Sequence, residues 1–307
     1  LVRRALEREL GYETPLLGGS MAKVFCWNDG GGFIDPGVVL LLFCSEHVWV
    51  RVKCMESPYS GDTANRGELE QLALALEEEG EVRLGSSAER YLLGMFPGCR
   101  VDATGRRRYR DNELYYDVLA AFGYRYALHG AAAADAMRSR TGYQFAGDTV
   151  LEGGLALALV ETDLAAATHM EQPFEPVPGI RISLDALCDS QARGSEVARL
   201  DKIAAGEKIR GLVTECKESG HEVAHLGGNP VLGLRSGNDY KILLALDPME
   251  SPADRIRLNR EVDQGVSFHA MRLRSGPAKL CTKIVEDTLR GLKGQKTDLR
   301  LLLTFGC

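Results

Sequence analysis

The sequence predicts an α/β (α+β) protein of mixed, largely antiparallel sheets with helices packed on their faces, arranged as two lobes with an internal duplicated unit. Three observations lead there. Short apolar runs at residues 38–44, 48–54, 155–160 and 299–305 are the length of buried strands, and turn residues separate many such runs. Segments with apolar positions three and four apart, at 67–79, 207–219 and 277–292, interleave with them as helices. Strands and helices mixed with many hairpins fit such sheets better than a doubly wound parallel fold.

The third observation is a repeat. A helix, then Gly11-Tyr12, Leu16-Leu17-Gly18-Gly19-Ser20 and Ala22 match a helix, then Gly123-Tyr124, Leu128-His129-Gly130-Ala131-Ala132 and Ala134, at a constant offset of 112 residues. Past a longer loop in the second copy, Phe25 lines up with Phe145 and the run from Gly37 with the run from Gly154. The units cover about residues 1–54 and 111–162, with a variable insertion at 55–110.

In chain order, residues 1–10 read as the end of an amphipathic helix closed by Gly11, followed by a strand at 22–27 and a hairpin at 38–54. Residues 67–79 form a helix with Leu69, Leu72, Leu74 and Leu76, and Ser86-Ser87-Ala88-Glu89 opens a short helix to Phe96. Asp111-Asn112 caps a helix through Phe122. Tyr124 to Leu128 is a buried strand, and Gly130 to Ala134 a turn of small residues followed by Asp135. A strand at 143–145 then reaches the Gly147-Asp148 turn, and Gly153-Gly154 opens the next one. Residues 163–170, 181–187 and 197–200 are strand-like. A helix at 207–219 turns Ile209, Leu212, Val213 and Cys216 to one side. Strand-like runs at 239–246, 255–262 and 266–273 precede a helix at 277–292, with Pro277 in its first turn and Leu280, Ile284, Val285 and Leu289 inward.

The central stretch, with its small-residue turn, Tyr-x-Phe strand, Gly-Asp turn and apolar strand, resembles the N-terminal domain of the FIST family (F-box and intracellular signal transduction). Residues 172–178, QPFEPVP, are similar to its Pro-containing turn. Residues 196–205, EVARLDKIAA, are similar to its Leu-Asp-Gly-x-Pro-Ala segment, with Lys202 for the glycine and Ala204 for the proline. Residues 229–234, NPVLGL, look like the start of the family's C-terminal domain, with Asn229 for histidine and Val231 inserted, and residues 301–307 look like its apolar strand ending in cysteine. The resemblance implies an N-terminal domain over 1–206 and a C-terminal domain over 207–307. A start without Met and an end inside an apolar strand at Cys307 point to a fragment, its second domain truncated.

Bulk composition narrows the function. A net charge of −6 and a pI of about 5.7 give no support to non-specific nucleic-acid binding. The one basic cluster, Arg106, Arg107, Arg108 and Arg110, reads as a solvated hairpin loop, with no aromatic platform beside it. No run of about 18 apolar residues would span a membrane. Eight cysteines without a Cys-x-x-Cys pair read as reduced thiols of a cytoplasmic protein.

Three constellations carry candidate chemistry. Gly18-Gly19-Ser20 and His129-Gly130-Ala131 each follow a strand, where backbone N–H groups would receive an anion or glycine would only permit close packing. His221-Glu222-Val223-Ala224-His225 fits His-Glu-x-x-His, a zinc peptidase motif when helical, with two imidazoles on the metal and the glutamate as base. Ser219-Gly220 before it and Gly227-Gly228-Asn229-Pro230 after it leave barely a turn of helix. The resemblance adds haem, bound by some similar nitric oxide sensors, with His129 and His169 as candidate axial ligands.

No nucleophile triad, paired carboxylates or phosphoryl-transfer set emerges, so the expectation is binding rather than catalysis: a sensory module taking a small ligand through Ser20, His129, Gly130, Asp135, Asp148 and Arg235. The resemblance implies an output partner such as a histidine kinase or diguanylate cyclase.

Overall fold

The computed structural model of the chain describes residues 8, 15–20, 24–26, 32–34, 45–60, 63–78, 88–101, 107–109, 111–133, 142–167, 169, 171–188, 192–226, 229–237, 239–246 and 254–292. It is α+β with mixed and antiparallel sheets, and it parts into two compact units, Leu1–Ala166 with Lys296–Cys307, and Ala167–Gln295. The parting falls before the 206/207 boundary expected from sequence. Its reason is hydrogen bonding: strands Phe174–Leu187 and Arg193–Leu200 pair with Ser267–Leu273 and Ile256–Asp263, not with anything upstream.

The first unit contains β1 (Leu17–Gly19), β2 (Val48–Met55), α1 (Arg66–Glu78), β3 (Glu89–Phe96), α2 (Asp111–Ala121), β4 (Ala127–Ala132), β5 (Tyr143–Ala146), β6 (Thr149–Glu152) and β7 (Leu155–Thr162). A four-stranded sheet runs β4-β3-β7-β2, and a three-stranded antiparallel sheet runs β1-β5-β6. β7 is buried at every position, as its uninterrupted apolar sequence requires of a strand covered on both faces. Leu155, Leu157 and Leu159 meet Leu69, Leu72 and Leu76 of α1 and Leu114 and Val118 of α2, whereas Ala156 meets Met95 and Ala146 on the other face. The unit is therefore layered, with helices on one face of the larger sheet and the smaller sheet on the other.

β4 and β3 are parallel, which needs the crossover that α2 supplies. α2 ends with two residues in left-handed geometry, Gly123 (φ 59°) and Tyr124 (φ 55°), whose N–H groups donate to Ala120 O and Leu119 O at 2.8 Å. Tyr124 is thus an exposed cap residue rather than the start of the strand.

Other expectations also change. Residues 89–96, read as helical from the Ser-Ser-Ala-Glu pattern, form β3, because pairing to β4 on one side and β7 on the other overrides a local capping signal. Gly130 and Ala131 belong to β4, not to a turn. Leu74 faces solvent on α1. No strand occurs among the described residues of 163–170. Gly18 pairs antiparallel with Phe145 and Gly130 pairs parallel with Gly94, so the two glycines that align in the repeat sit in different sheets. The run at 38–44 and residues 134–141 and 293–307 lie outside the described residues.

A charged network closes one end of the helix-facing layer. Glu161, 1% exposed, accepts from Arg51 Nη2 at 3.3 Å and Arg90 Nη2 at 3.1 Å, while Arg51 also donates to Glu77 O and Arg125 Nη2 to Glu77 Oε2 at 2.8 Å.

The second unit contains β8 (Phe174–Leu187), β9 (Arg193–Leu200), β10 (Ile203–Ala204), α3 (Ala205–Glu218), β11 (His225–Leu226), β12 (Asn229–Ser236), β13 (Asp239–Leu246), β14 (Ile256–Asp263), β15 (Ser267–Leu273) and α4 (Pro277–Gly291). The order β8-β15-β12-β13-β14-β9 returns to β8 with every pairing antiparallel, giving a closed six-stranded barrel. Closure leaves the six strands without a free edge. Ile182, Leu184, Val197, Leu232, Leu243, Leu258 and Phe268 fill it, and α3 adds Ile209, Leu212 and Cys216 to the same core. Val213, expected on that stripe, is exposed.

α4 begins on Pro277 at its first turn, and Leu280, Ile284 and Val285 are half-buried, while Leu289 faces out. Glu171 holds ion pairs to Arg274 Nη1 and Lys283 Nζ, each at 2.9 Å, so it ties α4 to the end of β15. The bond from Lys283 keeps the Glu171 carboxyl below its ordinary value of 4.5. A carboxylate whose folded value is depressed stabilises fully above its unfolded value, and that contribution fades as pH falls through the folded one. Lys283→Ala is accordingly expected to cost about 0.5–1 kcal/mol near neutral pH and nothing well below 4.5. Urea unfolding followed across that pH window checks both limits.

Candidate functional site

Two buried polar atoms of the first unit that lack a hydrogen-bond partner among the described residues, His129 Nε2 and Gln144 Oε1, belong to the face shared by its two sheets, while three others, Arg51 Nε, Glu77 Oε1 and Arg90 Nε, belong to the charged network on the helix side. On β4, Leu128 points to the helices, so His129 and Ala131 point to the smaller sheet, where Ala131 packs against Met95 and Ala156 and His129 stands in register with Leu93 of β3. The His129 ring stands edge-on to Tyr91, centroids 6.5 Å apart at 69°. Its Nε2 is buried and has no hydrogen-bond partner among the described residues. Burial pushes the imidazole below its ordinary 6.5 and pushes the Tyr91 hydroxyl up, so both are neutral at pH 7.

From the facing sheet, β5 contributes Gln144. It is fully buried beside Ala146 because alternation along Tyr-Gln-Phe-Ala aims both inward. Its Nε2 donates to Phe96 O at 3.2 Å and to Gly142 O at 3.3 Å. Those carbonyls fix the amide's orientation, and its Oε1 is left without a partner among the described residues. Most buried polar atoms are bonded, so two orphans in one layer mark a place where an added donor or acceptor gains free energy. Sequence reasoning passed over Gln144; the signal was a polar residue at an inward position of an otherwise apolar alternation.

The remaining predicted residues are placed as follows. Ser20 Oγ accepts from the Tyr143 N–H at 2.9 Å while the Ser20 N–H donates to Tyr143 O at 2.7 Å, extending the β1–β5 pairing. A Cβ on Gly130 would lie 1.9 Å from the Gly94 carbonyl oxygen. The glycine thus serves close strand approach, the packing alternative of the two readings. Asp148 is exposed in the turn between β5 and β6, and Asp135 lies outside the described residues. Arg235 belongs to the second unit, exposed near the end of β12, where its Nε donates to Gly237 O at 3.3 Å. NPVLGL, residues 229–234 just before it, is part of the strand.

The His-Glu-x-x-His segment does not form the helix that its metal reading requires. Residues 221–224 are irregular and His225 begins β11 opposite Pro230. His221 Nδ1 lies 3.2 Å from Arg272 Nη1, and His225 Nδ1 lies 2.9 Å from Val223 O. The two rings therefore have separate partners and Glu222 is exposed. Among the described residues no group of three His, Cys, Asp or Glu is placed to hold a metal ion. His169, in the second unit, has its Nε2 between Glu171 at 3.4 Å and Asp287 at 3.5 Å, and an imidazole so engaged fits haem ligation less well than His129.

Among the described residues no helix is long and apolar enough to cross a membrane. No curated protein and no solved structure is significantly similar to the chain. The FIST N domain profile matches residues 1–182, which include the first segment of the layered unit, Leu1–Ala166, and the first part of β8. With more than half its length matched, this chain belongs to the FIST family, whose domains are associated with signal transduction.

Proposed function

We propose that the chain is the small-ligand-binding sensory module of an intracellular signalling protein and that the ligand seats between the two sheets of the first unit, on His129 and Gln144. One observation carries this reading: His129 Nε2 and Gln144 Oε1 are both buried on the facing sides of the two sheets and both lack a partner among the described residues. A neutral imidazole and an amide oxygen suit an uncharged or zwitterionic ligand, an amino acid being the simplest that offers both a donor and an acceptor. Binding there would pull on β5 and β1, the short strands that cover the larger sheet, and this displacement is what an output partner such as a histidine kinase or diguanylate cyclase would read. The role is binding rather than catalysis, and the non-helical 221–225 segment weighs against the zinc peptidase alternative.

Haem is a second reading favoured by the same atom. Nε2 of a neutral, partly apolar imidazole is the axial ligand type that haem iron takes, and His129 would hold it.

A thermal-shift screen of amino acids, short carboxylates and haem separates the readings. An amino acid that raises the melting temperature of the parent, and not that of His129→Ala or Gln144→Leu, supports the first. A Soret band that is lost in His129→Ala supports the second. No shift with any compound, or equal shifts in parent and variants, overturns both.

A further inference from the structure

The outer wall of the barrel carries a cluster of cationic side chains with no role in the site above. Arg181 on β8 is the register partner of His269 on β15, and His269 is the partner of Gly233 on β12. Their chain neighbours Ile182, Phe268, Ala270 and Leu232 fill the barrel core, so alternation puts Arg181, His269 and Gly233 outside. Two residues along the same face of β12 stands Arg235, opposite Tyr240 of β13. The Tyr240 ring meets the His269 ring edge-on, centroids 5.3 Å apart at 80°. Ser183 and Ser267, partners of each other, occupy the next row of that face.

Among the described residues these cations are not neutralised. Arg181 and Arg235 are exposed, and among the described residues neither guanidinium meets a carboxylate; the Arg235 fork donates only its Nε, to Gly237 O. The neighbouring acids are engaged elsewhere. Asp239 accepts from the Tyr240 N–H at 2.8 Å, and Asp201 accepts from the Ser183 N–H and pairs with Lys208 Nζ at 3.1 Å. His269 is pushed below its ordinary value by burial first and then by the charges of Arg181 and Arg235, which places both guanidinium groups within electrostatic reach of one ring.

Two guanidinium groups and an imidazole on adjacent strands, with two hydroxyls beside them, match the oxygens of a doubly charged oxyanion better than a single carboxylate. We propose that this face is a binding site for a phosphoryl dianion, either inorganic phosphate or the phosphate group of a small monoester, held by Arg181 and Arg235 with His269 between them. It lies in a different unit from the His129 layer, so either site can fail without the other.

Calorimetric titration of the full chain at low ionic strength with inorganic phosphate, glycerol phosphate, acetate and chloride tests this. The expected result is saturable phosphate binding that Arg181→Ala and Arg235→Ala each weaken roughly tenfold and the double variant abolishes, with His269 taking up a proton on binding. Glycerol phosphate binding at least about tenfold tighter than inorganic phosphate identifies a phosphorylated small molecule, and equal affinity identifies free phosphate; both uphold the site. Phosphate binding no tighter than chloride, or unchanged in a double variant that melts like the parent, overturns it. Both arginines are exposed, so loss of folding does not confuse the outcome.

Discussion

Glu161→Ala is expected to destabilise the first unit by about 3–5 kcal/mol, because truncating one member of a buried charge network leaves its partners uncompensated. The Glu161 side chain is 2% exposed and its two oxygens go to different arginines; Arg51 is 11% exposed and Arg90 30%, so both are largely removed from water that would otherwise solvate them. The bond to Glu161 is the main reason the Arg90 guanidinium is pushed up from its ordinary value. Arg51 carries a further duty through its bond to Glu77 O, near the end of α1, so its displacement loosens helix and sheet together. Replacing Glu161, Arg51 and Arg90 together with leucine and two methionines is expected to recover most of the loss, since an apolar cluster of similar volume needs no counter-charge. Urea unfolding by tryptophan fluorescence reports on the first unit through Trp49 of β2, two residues from Arg51. A change under about 1 kcal/mol for Glu161→Ala would show that Arg51 and Arg90 reach water in solution.

Gly130→Ala is expected to cost about 3 kcal/mol or more, while Gly18→Ala costs under about 1 kcal/mol. The added methyl at 130 would stand 1.9 Å from the Gly94 oxygen and 2.8 Å from its carbon, backbone atoms of a central strand that cannot swing aside. At 18 the nearest atom is Phe145 Cδ2 at 3.4 Å, an ordinary contact. Both substitutions go through the same unfolding measurement. Equal costs would mean that the two glycines do the same job, as the aligned repeat implies; the four-stranded and three-stranded sheets give them different ones.

The local elements were legible where a single period dominates. The runs that became β7, α1, α3 and α4 could be placed from apolar spacing alone because each buries one clear stripe or both faces of a strand. β3 could not, since what makes residues 89–96 a strand is a parallel neighbour more than thirty residues away together with β7. Barrel closure was hidden for the same reason: the pairings of β8 with β15 and of β9 with β14 join segments that nothing local connects. The site was half visible. His129 stood out as a histidine at the head of an expected small-residue turn, whereas Gln144 shows its meaning only when Phe96 and Gly142 engage its amide nitrogen and its oxygen is left bare among the described residues. Arg235 was singled out with the ligand contacts of the first unit; it lies in the second, on a strand face opposite Tyr240.

Whether the layer between the sheets takes a ligand turns on the state of one ring. Nitrogen-15 NMR of histidine-labelled chain is expected to show His129 titrating below its ordinary 6.5, and its Nε2 resonance moving when a compound that stabilises the first unit is added. A His129 ring that titrates at or above 6.5 and keeps its Nε2 resonance at saturating compound would contradict binding at that atom.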